Sequence, residues 1–225
     1  MPRLRIAIFC FCAALCVALL APAQLGWCAE AKERYIKKLG VSEGYINLEV
    51  DGEKVRIPLP EGYEEFSKED YPDKYEFFYG PKWSSMNLTL CGLVSTEDNI
   101  ARKNDYLSPA RFAFIEIPNE YIPHRLSEYE FKNEMSYLKK YRNEETKKKS
   151  RFSFKYLIEN NTTLMELRVE KKFSPENNSI AYTETNYLYK KIIISFRFYT
   201  SSAIDDSINI LLKNTKDYLK LLAEF

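Results

Sequence analysis

The sequence predicts an α+β protein, an antiparallel β-sheet with helices packed on it. Runs at the strand period follow one another without a helix between each pair, which favours antiparallel pairing over βαβ units. Two longer stretches instead carry helix starts and 3.6-residue apolar stripes. A content of 17 Tyr and 14 Phe against only 7 Gly suits strand-rich structure with few glycine-built loops. With 225 residues, 45% hydrophobic and 29% charged, the chain has the composition of an ordinary globular protein of one domain, or at most two small ones.

The N-terminus is of another kind. Arg3 and Arg5 precede an apolar run from Ile6 to Leu20 and then small residues, the pattern of a secretory signal peptide. The run is shorter than the roughly 20 residues of a membrane span. Two A-x-A sites, Ala21-Pro22-Ala23 and Ala29-Glu30-Ala31, place cleavage after residue 23 or after residue 31, the first directly following the run. A lipid-anchor reading of Cys28 meets a bulky Trp27 where a small residue is expected. The expected mature protein is therefore exported, periplasmic or extracellular, with no transmembrane span. Cleavage after Ala23 takes the formal net charge from +1 to −1, since Arg3 and Arg5 leave and no acid does. A near-neutral chain lacks the basic excess of a general nucleic-acid binder. Cys10, Cys12 and Cys16 leave with the leader. Cys28 and Cys91 remain after the first cut, a candidate disulfide in an oxidising compartment.

Residues 32–44 read as a linker or short helix, with Tyr35, Ile36 and Leu39 on one side and Gly40 ending it. Residues 45–225 read as a single α+β domain. Ile46, Leu48 and Val50 alternate, Asp51-Gly52 turns, and Val55, Ile57 and Leu59 alternate again. A two-residue Asp-Gly loop sets Leu48 opposite Val55 and Ile46 opposite Ile57, so both apolar sets fall on one face. Pro58 and Pro60 end the second strand. Glu61 to Pro81 is aromatic and acidic, with a short strand expected at Tyr75 to Tyr79. Asn87 to Val94 and Arg111 to Ile117 read as strands, and Ser95 to Pro109 as a polar loop.

Ser127 and Glu130 make a capping box, and Phe131, Met135, Leu138 and Tyr141 form the stripe of the helix that follows. After a charged tract, Phe152 to Ile158, Leu164 to Val169 and Ile180 to Tyr189 are strands. Lys191 to Tyr199 is apolar on both faces at its start, which belongs in the middle of a sheet. Ser202 with Asp205 starts the last helix, whose stripe is Ile204, Ile208, Leu211, Leu219 and Leu222, with Thr215 its weak position.

The order of elements, with Ile57-Pro-Leu-Pro-Glu-Gly-Tyr63 closing the hairpin, resembles the PsbP-like fold. That fold is an antiparallel sheet sandwiched by helices, an α/β/α sandwich found in photosynthetic extrinsic proteins and in bacterial exported proteins. The resemblance spans about Tyr45 to Phe225. It implies a non-enzymatic binding or assembly protein, and it carries over no metal or partner motif.

Chemistry is sparse. His124 is the only histidine, so any Ser–His–Asp or Cys–His arrangement must use it, and it follows Pro123 in a connecting segment. No G-x-S-x-G elbow, phosphate loop or dinucleotide fingerprint is present, and no paired Cys and His spacing suits zinc. No cofactor or metal is implied. Glu64-Glu65, Glu69-Asp70 and Asp205-Asp206 are adjacent acids that point to different sides, as solvated charges do. Lys147 to Arg151 is a basic tract able to touch anionic lipid or polysaccharide, although Glu144 and Glu145 balance it.

Tyr182, Tyr187, Tyr189 and Tyr199 are the candidate binding surface, because tyrosine is amphipathic and common in recognition patches. The expected function is an exported, non-catalytic binding or assembly domain, with an envelope protein or polysaccharide as partner. The alternative is a secreted hydrolase using an Asp/Glu pair on a carbohydrate.

Overall fold

In the computed structural model, residues 36–81, 86–104, 111–122, 125–147, 152–170, 180–200 and 205–225 are described. In chain order they hold β1 (Ile36–Ser42), β2 (Tyr45–Val50), β3 (Glu53–Pro58) and β4 (Tyr63–Glu65), then helix α1 (Pro72–Tyr79). Next come β5 (Asn87–Ser95), α2 (Thr96–Asn104), β6 (Phe112–Pro118), a 3-10 turn at Asn119–Tyr121 and α3 (Glu128–Lys147). β7 (Phe152–Glu159), β8 (Thr163–Glu170), β9 (Ala181–Tyr189), β10 (Ile192–Thr200) and α4 (Asp205–Glu224) complete the chain. The class is α+β: two antiparallel sheets with four helices on them.

The larger sheet runs β4-β5-β6-β10-β9-β8-β7, which puts β10 at its centre. That place follows from a strand apolar on both faces. Ile194, Phe196 and Phe198 point into one core while Ile193 points into another, and all four are buried. On the first face lie α4 and the small sheet β1-β2-β3. Phe196 and Phe198 meet the Tyr218 ring edge-on at centroid distances of 4.9 and 5.9 Å. Burial of side chains this size contributes about 2–3 kcal/mol each. On the second face α1 closes an aromatic cluster around Phe66, Tyr71, Phe112 and Phe114. α3, with Phe131 and Met135, and Leu126 just before it cover Leu164 and Ile193. Helices therefore flank both faces of the sheet.

The hairpin matches its pattern: Leu48 pairs with Val55 and Ile46 with Ile57. Asp51 and Gly52 have φ of 52° and 81°, the left-handed pair that a two-residue turn of this twist requires. Two tyrosines dock the hairpin onto the body. The Tyr189 hydroxyl donates to the Arg56 carbonyl (2.7 Å) and the Tyr218 hydroxyl to the Pro58 carbonyl (2.9 Å).

Several elements differ from expectation. Residues 36–42 are a strand, not a helix or linker, because Ile36 is buried opposite Val50 and Gly40 sits at a break in register. The small sheet thus includes residues ahead of Tyr45. Tyr75 to Tyr79 is part of a helix rather than a strand. Tyr71, Tyr75 and Tyr79 recur every four residues, a helical spacing, and the Tyr75 and Tyr79 rings stack at 4.5 Å. Ser95 to Pro109 is not all loop, since α2 occupies Thr96–Asn104. Asp98 holds it in place by accepting from the Arg111 backbone N–H and guanidinium at 2.8 and 2.7 Å. Thr215 is no weak position: it is fully buried, with its hydroxyl 2.7 Å from that of Thr183 and 2.8 Å from the Leu211 carbonyl. The leader, Cys28, His124 and Ser202 lie outside the described residues.

Candidate functional site

The second face of the large sheet carries charges that no local sequence pattern announces. Antiparallel register sets Glu166 of β8 opposite Glu184 of β9, and Glu184 opposite Arg197 of β10. Glu116 of β6 lies two residues further along β10, opposite Ser195 and on the same face. Arg197 reaches Glu116 at 2.6 Å and Glu184 at 3.2 Å, and Arg168 reaches Glu166 at 2.6 Å and Glu184 at 3.4 Å. Arg142 comes down from α3 and donates to both Glu166 and Glu184. Three carboxylates thus meet three guanidinium groups in a seam between the α1 and α3 clusters.

Burial and neighbours push the two facing acids in opposite directions. Burial alone would raise the Glu184 carboxyl, but Arg197, Arg142 and Arg168 outweigh it and hold it well below the usual carboxylate range. Glu166 is raised, first by burial and then by the Glu184 charge, with Arg142 and Arg168 only partly offsetting them. A split of this kind is what an acid–base pair shows. Yet Glu166 is 1% and Glu184 4% exposed, guanidinium groups contact both carboxylates, and Glu166 Oε2 is itself buried without a protein hydrogen-bond partner. The seam costs desolvation as well: Ser195 Oγ and Asn186 Nδ2 are buried beside it without a protein partner. Its evident effect is positional, fixing α3 against the sheet.

Arg142 explains a misplaced tyrosine. The inward stripe of α3 runs Phe131, Met135, Leu138 and then Arg142, so Tyr141 turns outward and is 53% exposed. A polar residue at the fourth stripe position was the available signal. Tyr137, one turn before Tyr141, is 71% exposed. Together with Leu138 and Glu134 they form one wall of a groove of about 530 Å³. Glu120 and Tyr121 of the 3-10 turn and Leu126 complete its lining. Backbone bonds anchor both sides: Asn119 N–H to the Met86 carbonyl (2.9 Å) and Leu126 N–H to the Lys191 carbonyl (2.8 Å). Burial pushes the Tyr121 phenol up, and the Glu120 and Glu134 charges push it further.

The four strand tyrosines do not make one surface, and none is exposed. Tyr182 and Tyr199 are cross-strand partners on the seam side, stacked at 4.9 Å, with Arg168 donating to the Tyr182 hydroxyl at 3.2 Å. Tyr187 and Tyr189 lie on the opposite face, where Tyr189 ties down the hairpin. Cys91 is a buried thiol that burial, then Glu65, pushes up to about 12, and its candidate disulfide partner Cys28 lies outside the described residues.

Glu64 and Glu65 stay at the surface, with Glu64 accepting from Asn99 and Glu65 within 3.8 Å of Lys38. A second groove, between Pro60–Gly62 and α4, has mixed charge, and its Lys213 and Lys220 both approach Asp217, at 3.5 and 3.6 Å. Among the described residues no cluster of His, Cys, Asp or Glu is arranged to hold a metal, and no helix is long and apolar enough to cross a membrane. Comparison of the chain with protein-family models, curated proteins and solved structures returns no match.

Proposed function

We propose that the protein is an exported, non-catalytic binding or assembly domain that engages an envelope component through the groove outside α3. The observation that carries this reading is the pair Tyr137 and Tyr141, exposed on a helix whose inner face is held by a buried charge seam. Exposed aromatic rings on a rigid support bind at low entropic cost. Export rests on the Arg-led apolar run and its two A-x-A sites. Helices on both faces of an antiparallel sheet are also what a PsbP-like relationship would give, and that relationship belongs to the same reading.

The hydrolase alternative draws on Glu166 and Glu184, which oppose each other on neighbouring strands. A glycosidase needs both carboxyls open to the scissile bond. Here they face guanidinium groups instead, which favours binding over catalysis.

The test compares capture of envelope components by three immobilised forms. Tyr137→Ala/Tyr141→Ala should lose the partner that wild type retains, with an unchanged unfolding midpoint. Tyr182→Phe/Tyr199→Phe, which alters only the seam side, should capture as wild type does. Equal capture by the α3 variant would remove the groove from the reading.

A further inference from the structure

The groove has a chemical bias that points to a class of ligand, an inference that rests on the binding role proposed above. Its aromatic lining is three tyrosines, Tyr121, Tyr137 and Tyr141, and its apolar lining is Leu126 and Leu138. The remaining lining side chains are Glu120 and Glu134, and among the described residues none of the lining is cationic. The nearest guanidinium on α3, that of Arg142, is turned inward and already shared by Glu166 and Glu184.

Among the described lining residues two carboxylates stand without a cation, and Tyr121 feels Glu120 and Glu134 more strongly than the inward-turned Arg142, which biases the potential in the groove negative. The rings add to it, because a π face is the negative side of an aromatic quadrupole. A neutral sugar could stack on these rings but would gain nothing from the net charge. An anion would be repelled. A primary ammonium would suit the carboxylates but not the two leucines, which offer it no acceptor. A quaternary ammonium fits all three features. Its methyl groups pack on rings and leucines, and its charge, spread over those methyls, is felt by rings and carboxylates together. The volume of about 530 Å³ is ample for one such headgroup and the chain attached to it.

We infer that the groove between α3 and the Asn119–Tyr121 turn is a binding site for a small quaternary-ammonium ligand, held by Tyr121, Tyr137 and Tyr141 with Glu120 and Glu134 supplying the charge. Tyr137 and Tyr141 stand one helical turn apart, so both rings can address one cation.

The experiment is an NMR titration of the protein with choline and with dimethylbutanol, its neutral carbon analogue of the same shape. Choline should shift the ring signals of Tyr121, Tyr137 and Tyr141 to saturation, and it should bind about tenfold more tightly than the analogue. Glu134→Gln and Tyr137→Leu should each weaken choline about threefold or more, while Tyr137→Phe, which keeps the ring, should stay within about twofold. Raising the salt towards ~0.15 M should weaken choline and leave the analogue unchanged.

Equal affinity for choline and dimethylbutanol would overturn the cationic assignment, and so would shifts that never saturate or are scattered over the surface. If that happens while Tyr137→Ala/Tyr141→Ala still loses its captured partner, the ligand class is wrong and the groove remains the binding site. If capture is also unaffected, the binding reading falls with it.

Discussion

Arg142 is the residue on which the arrangement turns, because it converts a surface helix into one with a fixed rotation. Its guanidinium satisfies Glu166 and Glu184 together, and removing one partner of a buried pair leaves an uncompensated charge. The opposed shifts of the two acids give a prediction with a sign. Glu184 is depressed, so its charge stabilises the fold. That contribution is complete above the unfolded Glu value of about 4.3 and is lost as the pH falls through the lower folded value. Glu166 is raised, so ionising it costs the folded state, and the cost grows as the pH rises above about 4.3.

The stability advantage of wild type over Glu184→Gln should therefore grow as the pH climbs toward about 4.3. Its advantage over Glu166→Gln should shrink as the pH climbs beyond that value. Urea unfolding of the three proteins across acid and neutral pH measures both differences, and a common sign would refute the opposed assignment. Thr215 offers a second case at this scale. Thr215→Val strands the buried Thr183 hydroxyl at a cost of ~2 kcal/mol, whereas Thr183→Val/Thr215→Val should recover most of it. Denaturation midpoints of the single and double variants decide this, and a double variant no better than the single would contradict it.

At the scale of elements, the two sheets are built by different means. The hairpin β2-β3 is set locally, by alternation and by a turn whose backbone only certain residues accept. Gly52 stands at φ 81° with open space around it, so the cost of a side chain there is backbone strain rather than a clash. Gly52→Val should destabilise the protein by ~2 kcal/mol, read as a lowered urea midpoint with unchanged slope. An unchanged midpoint would mean that the turn is not under this constraint. α3 is set from outside itself. Ser127 and Glu130 cap it reciprocally, with the Ser127 N–H donating to the Glu130 carboxylate at 2.8 Å and the Glu130 N–H to the Ser127 hydroxyl at 3.3 Å. Arg125 ties the segment before it to Asp51 and Glu53 of the hairpin at 2.8 and 2.9 Å. The helix is thus held near its start by a cap and ion pairs and near its end by the seam.

For the whole molecule, what could be read from sequence follows how far each signal reaches along the chain. Hairpin register, the Ser127 cap and the central place of Ile192–Thr200 depend on residues within a turn or a strand of one another, and they were legible. The three-stranded sheet was not, because the partner of Ile36 is Val50, across a turn and a break in register. The seam was legible least of all. Glu116, Glu166, Glu184 and Arg197 come from four strands, and only the completed sheet sets them side by side. Adjacent acids such as Glu64 and Glu65 were therefore the wrong place to seek a facing pair. The tyrosines teach the same lesson in reverse. Strand alternation marks Tyr182 and Tyr199 as a surface, but α1 and α3 flank that face and leave both rings half-buried beside the seam, while Tyr137 and Tyr141 face outward on the covering helix.

In the proposed function, recognition belongs to the outer side of α3 and not to the sheet. Hydroxyl-radical footprinting of the protein, alone and with an envelope extract, measures this directly, because exposed tyrosines are oxidised and covered ones are spared. New protection is expected at Tyr137 and Tyr141, with oxidation of Tyr182, Tyr187, Tyr189 and Tyr199 low and unchanged in both states. Protection confined to another face, with Tyr137 and Tyr141 oxidised as fully as before, would contradict it.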